Sequence, residues 1–120
     1  MAKNLQVTFL MDFYGEILTE KQLSFLEYYY NEDLSLAEIA ENEGITRQGV
    51  RDAIKRAETQ LFETEKKLGL VKKFDEIKDG LGKISEYAAK ISEFNMQCGI
   101  SKDISELTVK IRALAGELSE

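Results

Sequence analysis

Arg47, Gln48 and Arg51 place two guanidinium groups and a carboxamide within five consecutive residues. A guanidinium carries paired N–H donors that match O6 and N7 of guanine, and a carboxamide pairs with N6 and N7 of adenine. Arg47 and Arg51 are four apart, so on a helix they share one side. Thr46 stands just before them and can cap such a helix, whose free N–H groups would hold a phosphate oxygen. Lys55 and Arg56 lie further along and suit the phosphate backbone better than base edges. The same spacing, with Lys55 at i+8, is also that of a solvated helix face. Asp52 would oppose a phosphate nearby, and Gly49 offers no side chain. Contact with DNA, contact with a protein and a purely structural role are therefore separate expectations for this segment.

Reading basic residues into a groove requires a support that holds their helix at a fixed angle. Ser35 and Glu38 have the form of a capping box, opening a short helix through Leu36, Ile39 and Ala40 that ends at Gly44. Thr46 opens the next helix, from Arg47 to about Leu68, closed by Gly69. Ala40 is small where the second helix passes over it, and Gly44 sits where the turn needs a positive φ. Ile39, Ile45, Val50, Ala53 and Ile54 are the apolar positions expected to lock the two helices together. This register of small, glycine and β-branched residues is that of a helix-turn-helix, whose second helix enters the major groove.

Ahead of it, Leu5, Phe9, Leu10 and Phe13 predict a helix over 5–15. Thr19 and Gln22 predict a capping box for a helix over 20–30, with a turn at 31–34. Helical geometry spreads Tyr28, Tyr29 and Tyr30 over different faces, with at least one in the core; a base-stacking platform is the other reading. Beyond Gly69 the apolar period becomes coiled-coil-like. Ile77, Leu81, Ile84, Ala88 and Ile91 are spaced 4, 3, 4, 3, and Ile104, Leu107, Ile111, Leu114 and Leu118 are spaced 3, 4, 3, 4. Two such stripes, joined by a short turn at Cys98 and Gly99 with Ser101 as the next cap, predict an antiparallel helical hairpin. The stripes are expected either to join two chains into a homodimer or to pack on the N-terminal domain. Gly80 and Gly82 weaken the first stripe by about 1 kcal/mol each if exposed.

The 120 residues carry no proline, no histidine, one cysteine and a net charge of −6. The absence of proline favours helices with short connections. A single cysteine excludes an internal disulfide and suits a reducing, cytoplasmic setting. Zinc would have to rely almost wholly on carboxylates, no glycine-rich phosphate loop is present, and no carboxylate has a histidine partner; neither enzyme nor cofactor is expected. No signal peptide and no stretch of about 20 apolar residues predicts membrane insertion. Charge is unevenly distributed. Residues 1–46 hold two basic and nine acidic side chains, residues 47–73 eight and four, and residues 74–120 six and nine. The middle segment alone has a positive balance, so DNA binding would be local and salt-sensitive.

The stretch LSLAEIAENEGITRQGVRDAIKRA, within Thr19–Ala57, resembles the region with which bacterial sigma factors read the promoter −35 element. Arg47, Gln48 and Arg51 match the positions used at the start of the sigma recognition helix. Gly49 and Asp52 depart from it, because sigma factors usually carry longer or uncharged polar side chains there. LMDFYGEILTEKQLSFLEYYYNEDLSLAEIAE, GITRQGVRDAIKR and the helical tail together resemble the YlxM family of small bacterial helix-turn-helix proteins. That resemblance covers residues 5–75 closely and the remainder loosely. It implies an all-α fold, with a sigma region 4-like domain of the winged-helix superfamily type over residues 1–70 and a C-terminal antiparallel hairpin over 71–120. It also implies a DNA-binding regulatory role. From the family's gene neighbourhood it implies a part in the signal recognition particle pathway, whose components become alternative partners through protein or RNA contacts.

Overall fold

The computed structural model describes residues 2–120, which are helical with no β-strand among them. The helices are α1 (Gln6–Tyr14), α2 (Glu20–Leu26), α3 (Leu36–Glu43), α4 (Arg47–Leu68), α5 (Leu70–Cys98) and α6 (Lys102–Ser119). A 3₁₀ turn, Gly15–Ile17, follows α1, and a π-helical turn, Glu27–Asn31, extends α2. The chain divides into two compact units, one ending at Val71 and the other beginning at Lys72.

The first unit is organised around α4. Val50, Ile54, Ala57 and Leu61 fall at i, i+4, i+7 and i+11 and are fully buried. Helices α1, α2 and α3 all pack against α4. Helix α1 contributes Val7, Leu10, Met11 and Tyr14. This differs from the expected face: Leu10 is buried, but Leu5, Phe9 and Phe13 point outward. The helix carries two apolar stripes, and the one that packs is the one that brings the Tyr14 hydroxyl to Glu65. The phenol donates to Glu65 Oε1 at 2.6 Å and accepts from the Leu70 N–H at 3.1 Å. Glu65 Oε1 also accepts from the Val71 N–H at 3.1 Å. Gly69, left-handed at φ +64°, closes α4 by donating to the Glu65 carbonyl, so the first free N–H groups of α5 are satisfied across the break.

The capping box of α2 forms as expected: Gln22 N–H donates to Thr19 Oγ1 at 3.1 Å, and Thr19 N–H donates to Gln22 Oε1 at 3.0 Å. The π turn that follows is a departure from the expected simple helix. It widens the spiral by one residue and shifts the phase of the tyrosine run. Tyr29 is buried, while Tyr28 and Tyr30 are partly buried against the core. None is left as an open stacking platform. The rings of Tyr29 and Tyr30 meet edge to face at 5.2 Å, and Lys3 lies 4.7 Å over the Tyr29 ring. Lys3 also pairs with Asp33, holding that carboxyl below the ordinary carboxylate value. Tyr30 Oη donates to Glu58 Oε1 at 2.6 Å and accepts from the Asn4 N–H. Among the described residues no buried side-chain polar atom lacks a partner.

In the second unit, α5 runs unbroken through Gly80 and Gly82. Its buried residues are Ala88 and Asn95, and those of α6 are Thr108 and Ala115. The seam of the hairpin is therefore lined by small and polar side chains. The expected stripe residues Ile77, Ile84, Ile91, Ile104, Leu107, Ile111, Leu114 and Leu118 are exposed, and Leu81 is half-buried. The physical reason is distance: large side chains in the seam would hold the helices further apart. Asn95 closes the turn by accepting from the Ser101 N–H at 2.9 Å and donating to the Ser101 carbonyl and Ser105 Oγ, each at 3.0 Å. Ser101 caps α6 through the Ile104 N–H, as expected.

Ile54 has no room to be replaced by a void. Ile54→Ala is expected to cost about 2–5 kcal/mol in urea unfolding, against under 0.5 kcal/mol for Lys55→Ala on the exposed side of the same turn. Burial and then the Glu58 carboxylate raise the Tyr30 phenol above its ordinary value, and burial and then Glu65 do the same for Tyr14. A phenol raised in the folded state stabilises fully below its unfolded pKa of about 10 and loses that contribution as pH rises further. Unfolding midpoints should fall above pH 10, and by less in Tyr14→Phe/Tyr30→Phe. Equal falls in both proteins would remove the phenols as the cause.

Candidate nucleic-acid interface

The candidate site is built on the junction of α3 and α4. Ser35 and Glu38 form the reciprocal capping box, with Glu38 N–H to Ser35 Oγ at 3.1 Å and Ser35 N–H to Glu38 Oε1 at 3.2 Å. At the other end of α3, Gly44 adopts φ +67°, a left-handed conformation that side chains disfavour. The N–H groups of Gly44 and Ile45 both turn back to the Ala40 carbonyl. Thr46 is extended, and its Oγ1 accepts from the Gly49 N–H at 3.0 Å. The N–H groups of Arg47 and Gln48 are left at the start of α4 without helical partners, where the helix dipole favours an anion.

Ile39, Ala40, Val50 and Ile54 lie in the core, and Ala53 packs at its edge. Ile45 stands at the rim, 38% exposed, with its Cδ1 near Gly49. A Cβ on Gly49 would lie 3.1 Å from Thr46 Oγ1, so the missing side chain makes room for the cap.

On the outer side of α4, Arg47, Gln48 and Arg51 meet Leu36 of α3 around a groove of about 410 Å³. Arg47 and Gln48 are exposed and Arg51 is half-buried. Gln48 Nε2 donates to Asp52 Oδ1 at 3.0 Å, which engages one of its amide hydrogens and leaves its carbonyl oxygen free. Arg47, Arg51, Lys55 and Arg56 have no ion-pair partner among the described residues. Lys55 and Arg56 line a second, open cleft of about 310 Å³ with Thr59, Gln60 and Glu63. Leu36, Thr59 and Gln60 were not anticipated as neighbours of these sites; the i+4 steps from Lys55 to Thr59 and from Arg56 to Gln60 are the signal that identifies the latter two. Among the described residues, no group of three or more His, Cys, Asp or Glu could hold a metal ion, and no helix is long and apolar enough to cross a membrane.

Comparison with known proteins agrees with this geometry. Residues 1–99 match the UPF0122 family profile, described as "Putative helix-turn-helix protein, YlxM / p13 like". The chain is 46% identical over 110 residues to a UPF0122 protein of Thermoanaerobacter sp. (strain X514), covering 92% of this chain and 94% of the relative. It is 41% identical over 114 residues to the UPF0122 protein YlxM of Bacillus subtilis (strain 168), covering 95% and 94%. A UPF0122 protein of Desulforamulus reducens is 55% identical over 71 residues, covering 59% of this chain and 61% of the relative. With a capped helix-turn-helix in the structure and a match across most of its length, the chain belongs to the UPF0122 family of YlxM/p13-like helix-turn-helix proteins.

Proposed function

We propose that the protein is a non-enzymatic regulator that binds duplex DNA with the first turns of α4. The observation that carries this reading is the grouping of Arg47, Gln48 and Arg51 at the exposed start of the second helix of a capped helix-turn-helix. The arginines have no ion pairs among the described residues and lie in the one segment with a positive balance. In this reading Arg47, Gln48 and Arg51 face base edges. Thr46 and the first N–H groups of α4 receive a phosphate, and Lys55 and Arg56 follow the backbone along the second cleft. Residues 1–70 act as the reading domain. Residues 71–120 act as a dimerisation element that brings two reading domains to one site in the cytoplasm.

A second reading rests on the acidic first 46 residues, which carry two basic and nine acidic side chains. Such a surface repels nucleic acid and suits a basic partner. Here the protein is an accessory factor of the signal recognition particle, with the helix-turn-helix as an adaptor for its protein or RNA.

Selection of duplex DNA from a random pool at about 0.1 M salt tests the first reading. One sequence should be enriched by the unaltered protein and lost with Arg47→Ala/Arg51→Ala. Lys55→Ala/Arg56→Ala should weaken binding across all sequences and reduce the salt slope by about 2. Asp52→Asn removes a charge that opposes phosphate and should tighten binding several-fold. If no sequence is enriched and the arginine variant binds as weakly as the parent, the DNA reading fails. Binding to purified signal recognition particle that is lost on charge reversal of the acidic residues would then establish the second.

A further inference from the structure

The second unit has no apolar core of its own, because the buried residues of its two helices are an asparagine, a threonine and two alanines. Its large apolar side chains lie elsewhere, in a pattern that repeats between the helices. On α5, Ile84, Tyr87, Ile91 and Phe94 stand at −4, −1, +3 and +6 from the buried Ala88. On α6, Ile104, Leu107, Ile111 and Leu114 stand at the same offsets from the buried Thr108. Both rows are therefore rotated in the same sense from the seam. The three-residue link at 99–101 and the Asn95–Ser105 hydrogen bond make the helices antiparallel. Reversing a helix reverses its sense of rotation as seen from one end, so equal offsets place the two rows on one face of the hairpin. Exposure follows the same geometry: Ile84, Ile91, Ile104 and Ile111, nearer the seam, are 40–49% exposed, and Tyr87, Phe94, Leu107 and Leu114, further round, are 56–63% exposed.

We infer that this face is the site at which a second copy of the chain docks, the two hairpins closing into an antiparallel four-helix bundle. The inference rests on the reading of residues 71–120 as a dimerisation element and specifies its surface. With Leu118, the face holds nine large apolar side chains about half exposed, on the order of 800 Å² per chain, which matches one side of a standard protein interface. The largest apolar patch of an ordinary monomer is about 300–600 Å². Both rows are spaced 3 and 4, as knobs-into-holes packing requires of every helix in such a bundle. The rims differ in charge. Lys83 and Lys90, with Glu76 one heptad earlier, edge the α5 row, whereas Asp103 and Glu117, with Lys110 between them, edge the α6 row. That difference favours α5 of one copy lying over α6 of the other. The opposite side of the hairpin, where Met96 and Val109 are exposed, lacks such rows and stays in solvent.

Sedimentation equilibrium of the full chain without DNA tests the inference. The protein should be a dimer at micromolar concentration, and Leu107→Glu/Leu114→Glu should raise the dissociation constant more than 100-fold. Met96→Glu/Val109→Glu should leave it unchanged. Amide exchange of the unaltered protein gives a readout that needs no variant: protection of α5 and α6 should rise as concentration passes through the dissociation constant. A monomer at 100-fold higher concentration would overturn both this inference and the dimerisation reading. A dimer that survives Leu107→Glu/Leu114→Glu but is dissociated by Met96→Glu/Val109→Glu would overturn the assigned face alone.

Discussion

The first unit depends on the burial of one row of α4. Val50, Ile54, Ala57 and Leu61 are sealed on every side, and α1, α2 and α3 are arranged around them. The burial of that row fixes the rotation of α4 about its own axis. Residues on the opposite face, Lys55 and Arg56 among them, are then assigned to solvent, and Arg47 is exposed at the start of the helix. The two ends of the helix are fixed by different means. Thr46 and Gly44 define where it begins, and Gly69 with the Tyr14–Glu65 pair defines where it ends. A helix held in rotation and at both ends presents its outer side chains from a constant position, as a reading surface must.

The parts of the fold that were legible in the sequence are those governed by local chemistry. Both capping boxes, the left-handed glycines at 44 and 69, and the limits of α4 follow from the hydrogen-bonding capacity of one or two side chains. The parts that were not legible involve a choice between two apolar stripes on one helix. Helix α1 has two candidate faces, and the decision comes from Glu65, 51 residues away from Tyr14. The π turn at Glu27–Asn31 gives no signal in spacing, because an inserted residue looks like a change of period. In the hairpin, the heptads were clear and Ala88 among them is buried, but the other buried positions, Asn95, Thr108 and Ala115, lie outside the stripes. The candidate site was legible in its basic residues. The Gln48–Asp52 hydrogen bond and the groove floor at Leu36 depend on tertiary placement and were not.

Charge and packing divide the molecule in complementary ways. Residues 1–46, with nine acidic and two basic side chains, disfavour an anion, whereas residues 47–73, with eight basic and four acidic, favour one. Asp52 stands within the basic segment and lowers its positive balance. Tyr14 and Tyr30 engage the carboxylates Glu65 and Glu58 by hydrogen bonds, further along α4 than Arg47 and Arg51.

The small-residue seam of the hairpin has a consequence for how the sequence can drift. Ala88 and Ala115 are buried, so enlargement there is penalised. On the outer rows, Ile, Leu, Phe and Tyr can replace one another at modest cost. Over evolutionary time the C-terminal half should lose residue identity quickly while its alternation of small and large volumes persists.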